Sequence, residues 1–107
     1  MDIADKANEV LNDGLVGLGL LKGSAKDNVE SGKLKKYYPH NIGHWLGMDV
    51  HDAGLYSIKG EPRLLEAGMV FTIEPGLYTQ PTDLGVAMSY RNIGIRIEDD
   101  ILVTPHG

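Results

Sequence analysis

The sequence predicts an α+β fold in which helices come first and an antiparallel sheet follows. Between Ile3 and Leu21, apolar residues recur every three or four positions, which is the period of an amphipathic helix. Beyond residue 40, apolar residues instead alternate with other types, most clearly in Met69–Glu74 and Ile93–Glu98. Alternation with a period of two is typical of a half-buried β-strand. This change of period separates a helical part of the chain from a strand part.

Two helices are predicted in the amino-terminal third. The first covers residues 3–21, although internal glycines weaken it, and Gly23 marks its expected end. A second, short helix covers about residues 24–35 and begins at Ser24, a residue type that caps helix N-termini well. Pro39 then disfavours helix in the residue before it and opens an irregular stretch punctuated by glycines.

The rest of the chain predicts strands joined by a surface loop. Met69–Glu74 is the first strand, and Pro75 ends it because proline cannot donate to a sheet ladder. Ile93–Glu98 is the second, and Ile101–Val103 continues it. The intervening residues 79–91 contain proline, aspartate and glycine, which favour a loop on the surface.

Composition narrows the class of protein. At 107 residues the chain is at most one small domain. Its formal net charge of −5 argues against a nucleic-acid partner, and its longest apolar stretch is too short to span a bilayer. The absence of cysteine excludes disulfides and thiolate metal sites and fits a reducing compartment. We therefore expect a cytoplasmic protein with neither nucleic acid nor membrane as a partner.

Side chains that can bind a metal crowd the irregular stretch after Pro39. His40, His44 and His51 lie within twelve residues and are interleaved with glycines. His40 and His44 are four apart, which on a helix is the spacing of a zinc-binding pair. Pro39 and Gly43 argue against a helix there, and the glutamate of that motif is missing, so we reject this interpretation. Whether these histidines bind a ligand or lie in the core or on the surface stays open at this point.

Two glutamates lie at the ends of predicted strands. Alternation places Glu74 on the face shared with Thr72, where a partly buried carboxylate would need a cation, hydrogen-bond donors or a proton. Glu98 shares a face with Arg96 and precedes two aspartates, a density of negative charge that favours a cation or an exposed turn. The alternatives are an ordinary edge glutamate and a surface ion pair between Arg96 and Glu98, which would contribute about 0–1 kcal/mol. Local chemistry leaves these interpretations open.

Three sequence motifs resemble those of a known family, and this resemblance decides between the alternatives. PHNIGHWLGMDVHDAG, LEAGMVFTIEPGLY and YRNIGIRIEDDILVT are similar to motifs of the creatinase/aminopeptidase superfamily, peptidase family M24, and within it of aminopeptidase P (Xaa-Pro aminopeptidase). The resemblance extends from Val10 to Thr104, which is nearly the whole chain. It implies a partial pita-bread fold. It also implies a metal-dependent hydrolase that removes the N-terminal residue before a proline, so that the partner is a peptide with proline at its second position.

The metal ligands follow from that resemblance. His44 and Glu74 would bind one divalent ion and Glu98 would bridge two, with Mn²⁺ expected because imidazole and carboxylates form a hard ligand set. The family site also needs two aspartates from a hairpin upstream of the first helix. Asp2 and Asp13 have the expected separation, but Asp13 lies within the helical pattern, so neither is assigned a metal role. The site is therefore expected to be incomplete in this chain, and no other cofactor is predicted.

Three further residues are implied to act in catalysis. His40 would position the substrate or stabilise the tetrahedral intermediate. His51 would contact the substrate near the scissile bond, and Arg96 would support the site around Glu98.

The resemblance also predicts which part of a catalytic domain the chain forms. Residues 1–107 would form the C-terminal part of a metallopeptidase catalytic domain that is truncated at both ends. Weak metal binding and little or no peptidase activity are expected of the isolated chain, and exposed strand edges predict a homo-oligomer. The alternatives are a prolidase-type dipeptidase fragment, a non-catalytic peptide- or protein-binding module on the same scaffold, and an enzyme whose aspartates come from another chain.

Overall fold

The computed structural model describes residues 2–107, which divide into two compact units. The helical unit comprises the residues up to Ile42 together with Pro75–Ile97, and the strand unit comprises Gly43–Glu74 and Glu98–Gly107. Residues 2–107 contain these elements: α1 (Ile3–Gly17), α2 (Ala25–Glu30), β1 (Ser57–Ile58), β2 (Glu61–Pro62), β3 (Val70–Ile73), β4 (Gly76–Tyr78), β5 (Gly94–Arg96) and β6 (Asp99–Leu102), with short 3-10 helices at Leu34–Lys36 and Met88–Tyr90. The predicted α+β class, with helices before antiparallel strands, is confirmed. Within residues 2–107 no helix has the length and apolar character that crossing a membrane requires.

The first helix is shorter than the sequence pattern predicted. It begins at Ile3, and the N-cap residue Asp2 accepts with its side chain a hydrogen bond of 2.9 Å from the backbone N–H of Ala4. It ends at Gly17 instead of residue 21, because Gly19 adopts a left-handed φ of +74°. The N–H of Leu20 then bonds to the carbonyl of Leu15 at 2.8 Å, the 6→1 bond of a Schellman C-cap. The apolar period continues past Gly19, but the helix does not.

The second helix is also shorter than predicted, although its start is confirmed. The Ser24 hydroxyl accepts a hydrogen bond of 3.1 Å from the Asp27 N–H, as an N-cap does. The helix ends at Glu30 because Gly32 again has a left-handed φ, +73°. The single turn of 3-10 helix at Leu34–Lys36 occupies the remainder of the segment predicted as helix.

The core of the helical unit is small and is formed mostly by leucines. Its buried members are Leu15, Leu34, Tyr37 and Val86, and the partly buried residues packed against them are Leu11, Leu20, Leu21 and Leu77. Leu11 and Leu15, which belong to the three-to-four-residue period in the sequence, are the α1 residues of this core. Val10 belongs to the same period but is exposed, so the pattern predicted the buried face of α1 only in part.

A buried pair of asparagines links α1 to α2. The Asn28 side-chain amide donates to the Asn12 side-chain carbonyl at 2.7 Å and to the backbone carbonyl of Lys22 at 3.2 Å. The Asn12 amide in turn donates to the backbone carbonyl of Gly23 at 3.3 Å. Asn12 and Asn28 are only 2% and 1% exposed, so these amides satisfy one another and the backbone of the connection between the helices.

Strand pairing is antiparallel, as predicted, but it is distributed over three two-stranded sheets in residues 2–107. β4 pairs with β5 in the helical unit, and β3 pairs with β6 in the strand unit. The break between β3 and β4 falls at Pro75, as the sequence indicated. The β1–β2 hairpin was not predicted. Its two-residue turn has positive φ at Lys59 (52°) and Gly60 (86°), which matches the right-handed twist of the flanking strands.

Candidate metal centre

The irregular segment that carries His44 lies beside β3 in the strand unit. The Leu46 N–H bonds to the carbonyl of Val70 at 3.0 Å, and the Thr72 N–H bonds to the carbonyl of His44 at 2.9 Å. Close approach at this point requires glycine, because a Cβ on Gly43 would collide with the backbone carbonyl of Thr72. The glycines that made this segment look irregular in the sequence are what allow it to approach a strand.

The strand register explains why three donors share one face. The β3–β6 ladder runs up to the residue before Glu74 and the residue after Glu98, so these two glutamates follow as the next opposed pair. On its other side, β3 has Thr72 opposite His44. Because side chains two apart on a strand point to the same face, Glu74 shares the face of Thr72. His44, Glu74 and Glu98 therefore project on one side of three neighbouring stretches of backbone.

The distances among these donors fit a metal ion. One ligand atom from each of His44, Glu74 and Glu98 can be chosen so that all lie within 4.8 Å of one another. His44 Nε2 and Glu74 Oε1 are 3.3 Å apart, the separation expected of two donors ~2.1 Å from one ion at an angle of roughly 100°. Glu74 is 8% exposed whereas Glu98 is exposed, so Glu98 has the side-chain freedom to adjust to the ion.

The hydrogen bond of the His44 ring also favours a cation between His44 and Glu74. Its Nδ1 lies 2.9 Å from the carbonyl oxygen of Trp45, which can only accept, so Nδ1 carries the proton in a neutral ring. Nε2 then presents its lone pair to the Glu74 carboxylate oxygen, which is also an acceptor. Two facing acceptors repel each other unless a proton or a cation lies between them. The residues present therefore fit a divalent cation.

His51 lies against the imidazole of His44. The two ring centroids are 4.4 Å apart in an edge-to-face arrangement, and the His51 residue is exposed. The ring of Trp45 lies between Phe71 and Tyr56: it meets Phe71 edge to face at 6.0 Å and stacks on Tyr56 at 5.7 Å. Aromatic packing thus supports the backbone segment that carries the histidine.

The other two predicted catalytic residues meet at a tyrosine in the helical unit. Arg96 Nε donates to the Tyr78 hydroxyl at 2.8 Å, and His40 Nε2 lies 3.0 Å from the same oxygen. Because His40 Nδ1 faces the carbonyl of Asn41 at 2.8 Å, Nε2 is the acceptor and the tyrosine donates to it. A Cβ on Gly76 would come within 2.6 Å of the hydroxyl oxygen, so glycine is required here too.

Tyr78 is a functional candidate that the sequence did not single out. It is the last residue of the motif LEAGMVFTIEPGLY, four residues after Glu74. Its place in that motif is the feature of the sequence that could have indicated a functional role. Asp2, by contrast, caps α1 through its side chain. Among residues 2–107, the group of donors close enough for a metal is the predicted one, His44, Glu74 and Glu98.

Comparison with known proteins identifies the family. The profile of metallopeptidase family M24 matches residues 1–105 of the chain. The chain belongs to family M24. Among curated M24 relatives, it is 44% identical over 107 residues to the Xaa-Pro aminopeptidase of Escherichia coli strain K12, a match that covers 100% of this chain and 24% of the relative. It is 45% identical over 103 residues to the Xaa-Pro aminopeptidase of Haemophilus influenzae, covering 96% of this chain and 24% of the relative.

Solved M24 structures agree with these matches. The aminopeptidase PepP of Pseudomonas aeruginosa superposes with a TM-score of 0.86 at 50% identity, covering 91% of this chain and 22% of that one. Aminopeptidase P from E. coli with the inhibitor Pro-Leu gives a TM-score of 0.82 at 46% identity, covering 94% and 22%. The predicted partial pita-bread fold is thereby confirmed. The chain spans less than a quarter of the length of these relatives.

Proposed function

We propose that residues 1–107 form the C-terminal part of the catalytic domain of an Xaa-Pro aminopeptidase, which hydrolyses the peptide bond between an N-terminal residue and a following proline. The observation that carries the proposal is the convergence of His44, Glu74 and Glu98 within 4.8 Å. The names of the relatives supply the substrate class. The alternative of a non-catalytic binding module is disfavoured because peptide binding alone gives no reason to gather two carboxylates around an imidazole acceptor.

Two divalent ions, Mn²⁺ by preference, are proposed for the complete site. His44 and Glu74 would hold one ion, and Glu98 would be shared between both. Ions held there would lower the pKa of a coordinated water towards ~7 and polarise the substrate carbonyl. Two such ions carry four positive charges and the two glutamates supply two negative ones, so the complete site requires further anionic ligands. We propose that these are two aspartates outside the present chain, and that this chain alone binds metal weakly.

The remaining residues are proposed to act on the substrate. His51 is exposed beside His44 and would contact the peptide near the scissile bond. His40 accepts a hydrogen bond from the Tyr78 hydroxyl and would position the substrate or stabilise the tetrahedral intermediate. Arg96 donates to the same hydroxyl and would support the site near Glu98.

The proposals for assembly and compartment rest on the exposed surface and on the composition. Several large apolar side chains of the strand unit are at least half exposed: Met48, Val50, Leu55, Tyr56, Ile58, Leu64 and Leu102. Exposed apolar surface favours self-association, so we propose a homo-oligomer, which light scattering would detect. The absence of cysteine suits a reducing compartment, and we propose the cytoplasm.

A hybrid enzyme tests the proposed activity. In the E. coli Xaa-Pro aminopeptidase, the segment that matches this chain over 107 residues would be replaced by the chain itself. With Mn²⁺, we expect the hybrid to release the N-terminal residue from an Xaa-Pro-containing tripeptide. Exchange of His44 for alanine should abolish turnover, whereas exchange of the exposed Glu61 for glutamine should not. The isolated chain, assayed in parallel, should show little or no turnover.

The outcomes separate the alternatives. A folded, metal-loaded hybrid without turnover would contradict the catalytic proposal and favour the binding module. Cleavage of Xaa-Pro dipeptides but not of longer peptides would indicate a prolidase. Turnover by the isolated chain at the rate of the hybrid would contradict the proposal that its metal site is incomplete.

A further inference from the structure

The hydroxyl of Thr72 lies between two of the proposed metal ligands. It accepts a hydrogen bond of 3.0 Å from the backbone N–H of His44 and donates one of 3.1 Å to Oε1 of Glu74. That same Oε1 is the atom 3.3 Å from His44 Nε2. One side chain therefore contacts both the backbone that carries the imidazole and the carboxylate oxygen that faces it.

Burial makes this contact hard to replace. Thr72 is 2% exposed, so bulk water does not reach its hydroxyl. A hydroxyl has one proton to donate and two lone pairs to accept with. Here the proton is directed to the carboxylate, and a lone pair is occupied by the N–H. Donation to Oε1 restricts the rotation of the carboxylate about its terminal bond.

We propose that Thr72 is a positioning residue of the metal centre, which sets the distance between the imidazole of His44 and the carboxylate of Glu74. The inference rests on the proposed metal site. It adds a residue that supplies no ligand atom and that the sequence motif alone does not distinguish from a strand-forming threonine. Groups that orient metal ligands through hydrogen bonds commonly matter almost as much as the ligands themselves.

Substitutions that separate the hydroxyl from the volume of the side chain test the proposal. In the hybrid enzyme described above, Thr72→Val keeps the shape and removes the hydroxyl, and it should weaken Co²⁺ or Mn²⁺ binding by about 10- to 100-fold in a calorimetric titration. Thr72→Ser keeps the hydroxyl and should bind the metal nearly as well as the unsubstituted hybrid. At saturating Co²⁺, the visible absorption bands should be altered in Thr72→Val and retained in Thr72→Ser, a difference that loss of stability alone would not produce.

A matched threonine in the helical unit provides the control. The Thr79 hydroxyl donates to the backbone carbonyl of Tyr90 and accepts from the N–H of Ile93, so Thr79→Val also removes a hydroxyl that both donates and accepts. It should lower the unfolding temperature while leaving metal affinity and the Co²⁺ spectrum unchanged. If Thr72→Val does not fold, Thr72→Ala and Thr72→Ser replace the comparison, because both lack the methyl group and only serine has the hydroxyl.

The results distinguish failure of this inference from failure of the metal site itself. If the hybrid enzyme with the unsubstituted segment binds neither Co²⁺ nor Mn²⁺, the proposed site is wrong. If it binds them, and Thr72→Val and Thr72→Ala bind them equally well with unchanged spectra, the site stands and the role of Thr72 is wrong. Weakened binding in both variants, with recovery in Thr72→Ser, supports the positioning role.

Discussion

His44 Nε2 and Glu74 Oε1 lie 3.3 Å apart with both side chains mostly buried. With Nδ1 of His44 directed at a backbone carbonyl, a neutral imidazole leaves two acceptors facing each other at this distance. A protonated imidazole would resolve the conflict as an ion pair, and a divalent cation would resolve it by binding both atoms. A positive charge between the two atoms would therefore stabilise this arrangement.

Exchange of Glu74 for glutamine tests this stabilisation directly. The amide carries no negative charge to bind a cation. At the position of Oε1 it can either donate to His44 Nε2 or accept from the Thr72 hydroxyl, but not both. Metal affinity should fall by more than the roughly 10- to 100-fold typical of outer-shell substitutions, and Mn²⁺ should no longer raise the unfolding temperature. Glu61→Gln, an exposed change in β2, should retain that rise. Equal Mn²⁺ stabilisation in both variants would exclude Glu74 as a ligand.

The sequence predicted that His44, Glu74 and Glu98 converge because each lies in its own recognisable string, and the structure places their ligand atoms within 4.8 Å of one another. Alternation in β3 also placed Glu74 and Thr72 correctly on one face. What the sequence could not predict was the pairing of the His44 segment with β3, because that segment has neither strand alternation nor a turn signature. The pairing requires glycine at position 43, because a Cβ there would collide with the backbone carbonyl of Thr72. The two residues are far apart in the sequence, so the local sequence around Gly43 does not show this requirement.

Tyr78 was missed for a related reason. Its hydroxyl matters because the β4–β5 register and the preceding loop bring Arg96 and His40 to it from positions 18 and 38 residues away. No local sequence pattern predicts a contact between residues so far apart in the chain. The end of α1 was misjudged because the apolar period continues beyond Gly19, and periodicity alone does not distinguish a glycine that stops a helix from one that a helix tolerates.

Two glycine-to-alanine changes should have opposite effects on stability. A Cβ on Gly43 would collide with the Thr72 backbone carbonyl, and backbone shifts of this kind cost about 1–3 kcal/mol. Gly14 lies within α1 and has nothing within 4 Å of the Cβ position, so Gly14→Ala should stabilise the fold by about 0.5–1 kcal/mol. Urea unfolding measures both. Metal affinity should fall in Gly43→Ala alone, and an unchanged affinity there would show that the segment approaches β3 without needing glycine.

The buried asparagine pair should show strong non-additivity. Asn12→Leu leaves an amide N–H of Asn28 without its carbonyl partner, and an unsatisfied buried donor costs about 1–3 kcal/mol. The double variant with leucine at both positions removes donor and acceptor together, so its free energy of unfolding should fall by less than the sum of the single changes. Asn41→Ala, an exposed change, should stay within about 0.5 kcal/mol of the unsubstituted chain. Additive effects would show that the two amides do not depend on each other.

The ion pair between Lys36 and Asp83 should give stability a defined pH dependence. The hydrogen bond from Lys36 holds the pKa of Asp83 below its ordinary 3.8, and the bond to Asp83 raises the pKa of Lys36 above its ordinary 10.5. The depressed carboxyl pKa contributes stability that is present above pH 3.8 and is lost as the pH falls through the folded value. The raised ammonium pKa contributes stability that is present below pH 10.5 and is lost as the pH rises through the folded value.

Asp83→Asn removes the charge but keeps an oxygen that can accept from the Gly85 N–H, a bond of 3.0 Å in the unsubstituted chain. The variant should therefore be less stable than the unsubstituted chain at neutral pH. The difference should vanish below the folded pKa of Asp83 and above that of Lys36, and it should shrink with added salt because Lys36 is half exposed. Chemical denaturation at a series of pH values measures the difference in the free energy of unfolding between the two proteins. Glu30→Gln, which breaks the longer 4.0 Å pair with Lys26, should change stability less at every pH, and an equal loss in both variants would contradict a specific role for the Lys36–Asp83 hydrogen bond.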